Sequence, residues 1–144
     1  GAKDAVKMAP HRHRGDIAGP LDAAYLAPSL YDEALRLLAR RGYALPAEVL
    51  DRDVTQPYAA HPAVEAAWEE IYRHSDEHFD LYELAEELVD LEDSFQQWRF
   101  RHMKTVERII GMRGGTGGSS GVGYLRHALE KYFFPELWSV RTKL

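Results

Sequence analysis

The chain has 144 residues, 45% hydrophobic, 28% charged and 11% aromatic, the composition of one water-soluble globular domain rather than a disordered chain. It contains no cysteine, which excludes disulfides, thiolate zinc sites, iron–sulfur clusters and cysteine nucleophiles, and fits a reducing cytoplasm. A net charge of −5 and a pI near 5.8 argue against nucleic acid or an anionic membrane as the main partner, and no apolar run approaches the ~18 residues of a membrane span.

Residues 1–20 hold Pro10, Gly15, Gly19 and Pro20 among His and Arg and read as an irregular lead-in. Gly1 to Met8 lacks the continuous apolar core of a signal peptide, and the absence of an initial Met leaves a tag remnant, a processed start or a fragment open. From Leu21 to Arg41, Tyr25, Leu26, Leu30, Tyr31, Leu35 and Leu38 recur at helical spacing. Pro28 splits that stretch, Ser29 is the expected cap of its second helix, and Gly42 stops it. Leu45 to Tyr58 reads as a connection with a short helix, and Pro62 opens another helix with Val64, Trp68 and Ile71 on one face.

The dominant element is a helix from about 77 to 110. Leu84, Leu88, Leu91, Phe95, Trp98, His102, Val106 and Ile109 alternate by threes and fours and predict one buried stripe. Acidic residues crowd its first half and basic residues its second, which complements the helix dipole. Residues 111–123 hold seven glycines in thirteen positions and read as a loop. A helix from Val122 to Phe134 and a last one opened by Pro135 complete the chain. With no alternating strand pattern, the expected fold is all-α: a helical bundle in a single domain, 1–144, with C-terminal helices over 124–144.

His102 is the residue on the stripe with chemistry of its own. A neutral imidazole on an apolar wall suits an axial iron ligand, because the wall excludes water while one ring nitrogen binds metal. Spacing alone equally allows a core histidine satisfied by a neighbouring acceptor, the more frequent case. The glycine-rich loop can bring backbone N–H groups, with Arg113, Thr116, Ser119 and Ser120, against a carboxylate or phosphate, or serve as a plain linker. It is not a P-loop, since no Lys follows the glycines.

Weaker candidates have simpler readings. His74 and His78, at i and i+4, lack the His-Glu-x-x-His pattern and read as surface residues, as do His11 and His13. Tyr31, Tyr82, Phe95 and Trp98 read as core, and Glu83, Glu86, Glu87, Asp90, Glu92 and Asp93 as a solvated face. A di-iron site would need Glu-x-x-His on facing helices, and no such motif occurs.

The run from Asp93 through Trp98, His102 and Gly111 to Gly121, with Thr116 inside the loop, closely resembles the signature of tryptophan 2,3-dioxygenases. The ending from Phe133 to Leu144 is similar to that family's C-terminus, with weaker echoes at Ser29–Leu38 and Leu81–Leu84. The resemblance implies an all-helical, homotetrameric, cytoplasmic haem b enzyme that inserts both atoms of O₂ across the indole C2–C3 bond of L-tryptophan to give N-formylkynurenine. It implies that His102 is the axial haem iron ligand and that Thr116 contacts the ammonium and carboxylate end of the substrate. Family members are considerably longer, so the chain is expected to be part of a larger domain. The distal histidine, the carboxylate-clamping arginine and much of the indole pocket lie upstream in the family. No catalytic residue is therefore assignable here, and the isolated chain is expected to be inactive. Two rivals stay open: a haem-binding or structural helical domain without catalysis, and an apo interaction module whose long helix docks partner helices.

Overall fold

The computed structural model describes residues 18–111 and 121–144. Among them every regular element is a helix, as an all-α fold requires. In chain order these are α1 (Ala18–Leu26), α2 (Leu30–Arg40), α3 (Ala47–Leu50), α4 (Pro62–Arg73), α5 (Phe79–Ile110), α6 (Gly121–Leu129) and α7 (Pro135–Val140). The chain divides into two compact units, 1–67 and 68–144, with the boundary inside α4. None of these helices is long and apolar enough to cross a membrane.

In the first unit, the end of the lead-in is helical from Ala18, with Gly19 and Pro20 in the first turn of α1, where a missing N–H costs nothing. Ser29 caps α2 as expected. Its hydroxyl accepts from the Asp32 N–H at 3.3 Å while the Asp32 carboxylate accepts from the Ser29 N–H at 2.7 Å, a reciprocal capping box. The same buried carboxylate is held by Arg52 through Nε at 2.6 Å and Nη2 at 2.9 Å. Arg52 also donates to the carbonyls of Asp53 and Gln56 and lies over Tyr58, which stacks flat on Tyr31 at 4.0 Å. Burial alone would raise the Asp32 pKa, but the hydrogen bonds from Arg52 and Ser29 outweigh it and hold the group below its ordinary value. α2 ends at Gly42, whose φ of +96° suits only glycine well and lets the Tyr43 N–H return to the Leu38 carbonyl. Leu35, Leu38, Val49 and Val64 form the apolar interior of this unit.

The second unit is organised around α5, whose 32 residues make a rod of about 48 Å. It ends at Gly111, with φ at +61°. Its buried side chains are Leu81, Ala85, Leu88, Val89, Glu92 and Met103, which share the interior with Trp68, Ile71, Phe134, Leu137 and Val140. The expected stripe is therefore corrected. Of its eight members only Leu88 is buried, and the covered stripe is rotated by about a quarter turn at 3.6 residues per turn. Phe95 and Trp98, read from sequence as core, are 44% and 60% exposed.

Two further expectations change here. The helix after the glycine loop ends at Leu129 instead of continuing to Phe134. The N–H groups of Phe133 and Phe134 are taken by the Glu92 carboxylate, so they cannot serve another helical turn. The acidic run is likewise not uniformly solvated. Glu83, Glu87, Asp90 and Asp93 are exposed, but Glu92 is wholly buried, and Glu86 accepts from Tyr72 at 2.6 Å and from Arg141 at 2.7 Å. Burial and the bond to Glu86 raise the Tyr72 hydroxyl well above its usual pKa.

Candidate functional site

The site is built on the uncovered side of α5. Leu91, Phe95, Trp98 and His102 fall at intervals of four, three and four, so their side chains rise from one strip of helix surface. Leu91, Ser94, Phe95 and Trp98 line an apolar recess of about 280 Å³. Trp98 is parallel to the His102 imidazole, with centroids 5.2 Å apart and planes 3° from coincidence. Phe95 meets Phe133 edge-on at 5.7 Å.

His102 is exposed on this strip, which corrects the expected buried imidazole. The exposure also removes the core position, and among the described residues nothing hydrogen-bonds to either ring nitrogen. Trp98 stacks on the ring, and among the described residues no group engages either nitrogen. An apolar face beside an imidazole that has no hydrogen bond among the described residues could hold a flat, largely apolar cofactor. Among the described residues no three His, Asp or Glu converge as they would to hold a bare metal ion.

Thr116 and most of the glycine-rich loop lie outside the described residues, as do His11 and His13. What is described are the loop's two ends. Gly111 closes α5 through its N–H to the Glu107 carbonyl at 2.9 Å. α6 then returns along α5, with Arg126 reaching Glu107 at 3.3 Å. Glu107 also accepts from Lys104 at 2.9 Å; hydrogen bonding to Lys104 and the charges of Lys104 and Arg126 hold its carboxyl below the ordinary range. The loop's described ends are thus the C-terminus of α5 at Gly111, nine residues beyond His102, and the start of α6. His74 is exposed and turned toward Glu70, while His78 precedes the first turn of α5.

Glu92 and Arg99 were missed by the sequence reading. Glu92 is 0% exposed, and its carboxylate accepts from the Phe133 N–H, the Phe134 N–H at 3.1 Å and the Trp138 indole N–H at 2.9 Å. Arg99 donates to the carbonyls of Ala128 at 3.2 Å and Lys131 at 3.1 Å, and its guanidinium lies 4.4 Å from the Phe133 ring centre. A signal was available: Leu81, Ala85, Leu88 and Glu92 step by four, three and four, which puts this one carboxylate on an apolar strip.

Comparison with known proteins follows the same segment. The family model for tryptophan 2,3-dioxygenase matches residues 69–144. Tryptophan 2,3-dioxygenases of Polaromonas sp., Burkholderia orbicola and Cupriavidus necator are 59%, 60% and 56% identical to it over all 144 residues. Those 144 residues cover 49%, 46% and 49% of the respective relatives, so the chain spans about half the length of the curated relatives it matches. With more than half of its residues inside the family model, and the aromatic strip and His102 within that part, the chain belongs to the tryptophan 2,3-dioxygenase family.

Proposed function

We propose that this chain provides the haem-ligating half of a tryptophan 2,3-dioxygenase, with His102 as the axial ligand of haem b. The observation that carries this reading is the His102 imidazole, exposed and without a hydrogen bond among the described residues, at the end of an apolar aromatic strip. When bound, haem supplies the ferrous iron and the O₂ chemistry that adds both oxygen atoms across the indole C2–C3 bond of L-tryptophan, giving N-formylkynurenine. The chain's own residues position and enclose. Leu91, Phe95 and Trp98 offer a dry wall, Trp98 fixes the plane of the ligand ring, and Thr116 offers a hydroxyl to the ammonium and carboxylate end of the substrate. The reading extends to a homotetrameric, cytoplasmic enzyme with L-tryptophan and O₂ as its small-molecule partners.

No residue of this chain is assigned to proton transfer or to a substrate-carboxylate clamp, so the 144 residues alone are proposed to bind haem without turnover. Catalysis needs both reactants oriented and water excluded, and one wall does neither. A haem-binding domain without catalysis is the second reading, supported by the same exposed imidazole and apolar wall, which would hold haem whether or not turnover follows. His102→Ala tests the ligand. It should abolish the Soret band of the hemin-loaded protein and leave far-UV circular dichroism unchanged, because alanine is the best helix former. An unaltered Soret band in the variant would overturn the assignment.

A further inference from the structure

Glu92 and Arg99 lie two helical turns apart on the same strip of α5, and both reach the connection that joins α6 to α7. Their charges match the backbone groups they take. Arg99, the cation, donates to the carbonyls of Ala128 and Lys131, at and just beyond the end of α6, where a helix runs out of N–H partners for its carbonyls. Glu92, the anion, receives the N–H groups of Phe133 and Phe134 and the Trp138 indole N–H, at the start of α7 where N–H groups are left over. Each side chain therefore caps another helix's end from outside.

The connection between those two grips carries Phe133. Its ring lies under the Arg99 guanidinium and meets the edge of Phe95, which lines the apolar recess with Trp98. Trp98 in turn stacks on His102. The path from buried carboxylate to imidazole runs through the Glu92 bond to the Phe133 N–H, the Phe133–Phe95 ring contact, one turn of α5 backbone and the Trp98–His102 stack. A carboxylate with no exposure is costly to keep unless its hydrogen bonds are complete, and here three donors satisfy it.

We propose that Glu92 and Arg99 are positioning residues: by gripping the Ala128–Phe134 connection they set Phe133 against Phe95 and so fix the shape of the aromatic face that bears His102. Neither touches the imidazole, and both act through Phe133. The consequence for haem rests on the function proposed above, whereas the grip itself stands on the geometry of this unit.

The test compares the protein with its E92Q, R99Q and L81A variants by two-dimensional NMR of the aromatic rings and by hemin titration followed in the Soret region. Glutamine at 92 keeps the shape but turns an amide N–H toward backbone N–H groups that need an acceptor. Leu81→Ala weakens the same interior about three helical turns from Glu92 and removes none of the hydrogen bonds to the connection, so it separates general destabilisation from positioning. In E92Q and R99Q the Phe95 and His102 ring resonances should move and hemin binding should weaken about tenfold, the lower end of what changes to a metal ligand's supporting groups produce. L81A should do neither. Should E92Q fail to fold, R99Q decides, since it leaves no buried charge unpaired. Parent-like Phe95 and His102 resonances in a folded R99Q would overturn the proposal. A parent protein that takes up no hemin overturns the haem reading instead, and the ring resonances then decide the grip by themselves.

Discussion

Two strips of α5 lie about a quarter turn apart and have had opposite fates. One runs through Leu81, Ala85, Leu88, Glu92 and Met103 and is closed by the unit's own residues. The other runs through Leu91, Phe95, Trp98 and His102 and stands open, with Trp98 at 60% exposure. By side chain alone the open strip is the more hydrophobic of the two, since it carries the aromatics, while the closed one contains a carboxylate. Burial here follows the partners each strip can find. The closed strip meets backbone groups of the α6–α7 connection that require an acceptor, and the open strip presents only apolar surface and an imidazole. A contiguous apolar face of that kind marks a surface built for something other than solvent.

Removing the polar anchor of the closed strip should have the largest effect. Glu92→Ala should cost about 3–5 kcal/mol in urea unfolding, because three donors lose their acceptor at about 1–3 kcal/mol each and water restores part. A loss below about 1 kcal/mol would show that the closed strip is held by its apolar members alone. Next comes the apolar contribution itself. Leu81→Ala should cost about 2–4 kcal/mol by leaving a cavity. Trp98→Ala, the deletion of a much larger side chain, should cost under about 1 kcal/mol, because little of that surface is buried. The Trp98 variant should also show less concentration-dependent association in sedimentation velocity. Equal costs for the two variants would erase the distinction between the strips.

The smallest effect sharpens the picture at a third edge of α5, where Glu86 holds Tyr72 and Arg141. The Tyr72 pKa is raised above its ordinary value of 10.0, so its contribution to stability is complete below pH 10 and is lost as the pH rises beyond it. Tyr72→Phe should cost about 1 kcal/mol near neutral pH. It should also flatten the fall in unfolding free energy between neutral pH and pH values above 10. Identical alkaline slopes for the two proteins would remove this hydrogen bond from the account.

Much of the architecture was legible locally. The Ser29 cap, the stop at Gly42, Pro62 at a helix start and the end of the long helix at Gly111 all depend on backbone chemistry within a few residues, and all occur where the sequence places them. Val64, Trp68 and Ile71 are buried as their spacing implies. The end of α6 was not legible in this way. Whether it continues to Phe134 depends on an acceptor 41 residues away, and nothing within the segment announces it.

The site divides along the same line. The helical class, the family signature around His102 and the position of His102 on an apolar strip of the longest helix can all be read from the chain, because periodicity and motif are properties of consecutive residues. Only the tertiary structure decided which strip is closed and that Glu92 belongs inside it. It also decided that the imidazole stands exposed beside Trp98 with neither nitrogen bonded among the described residues. The physical reason is that burial belongs to a pair of surfaces. A periodic pattern shows that a face is apolar, while the partner that covers it, or leaves it open, comes from distant parts of the chain through hydrogen bonds that no hydrophobic pattern contains.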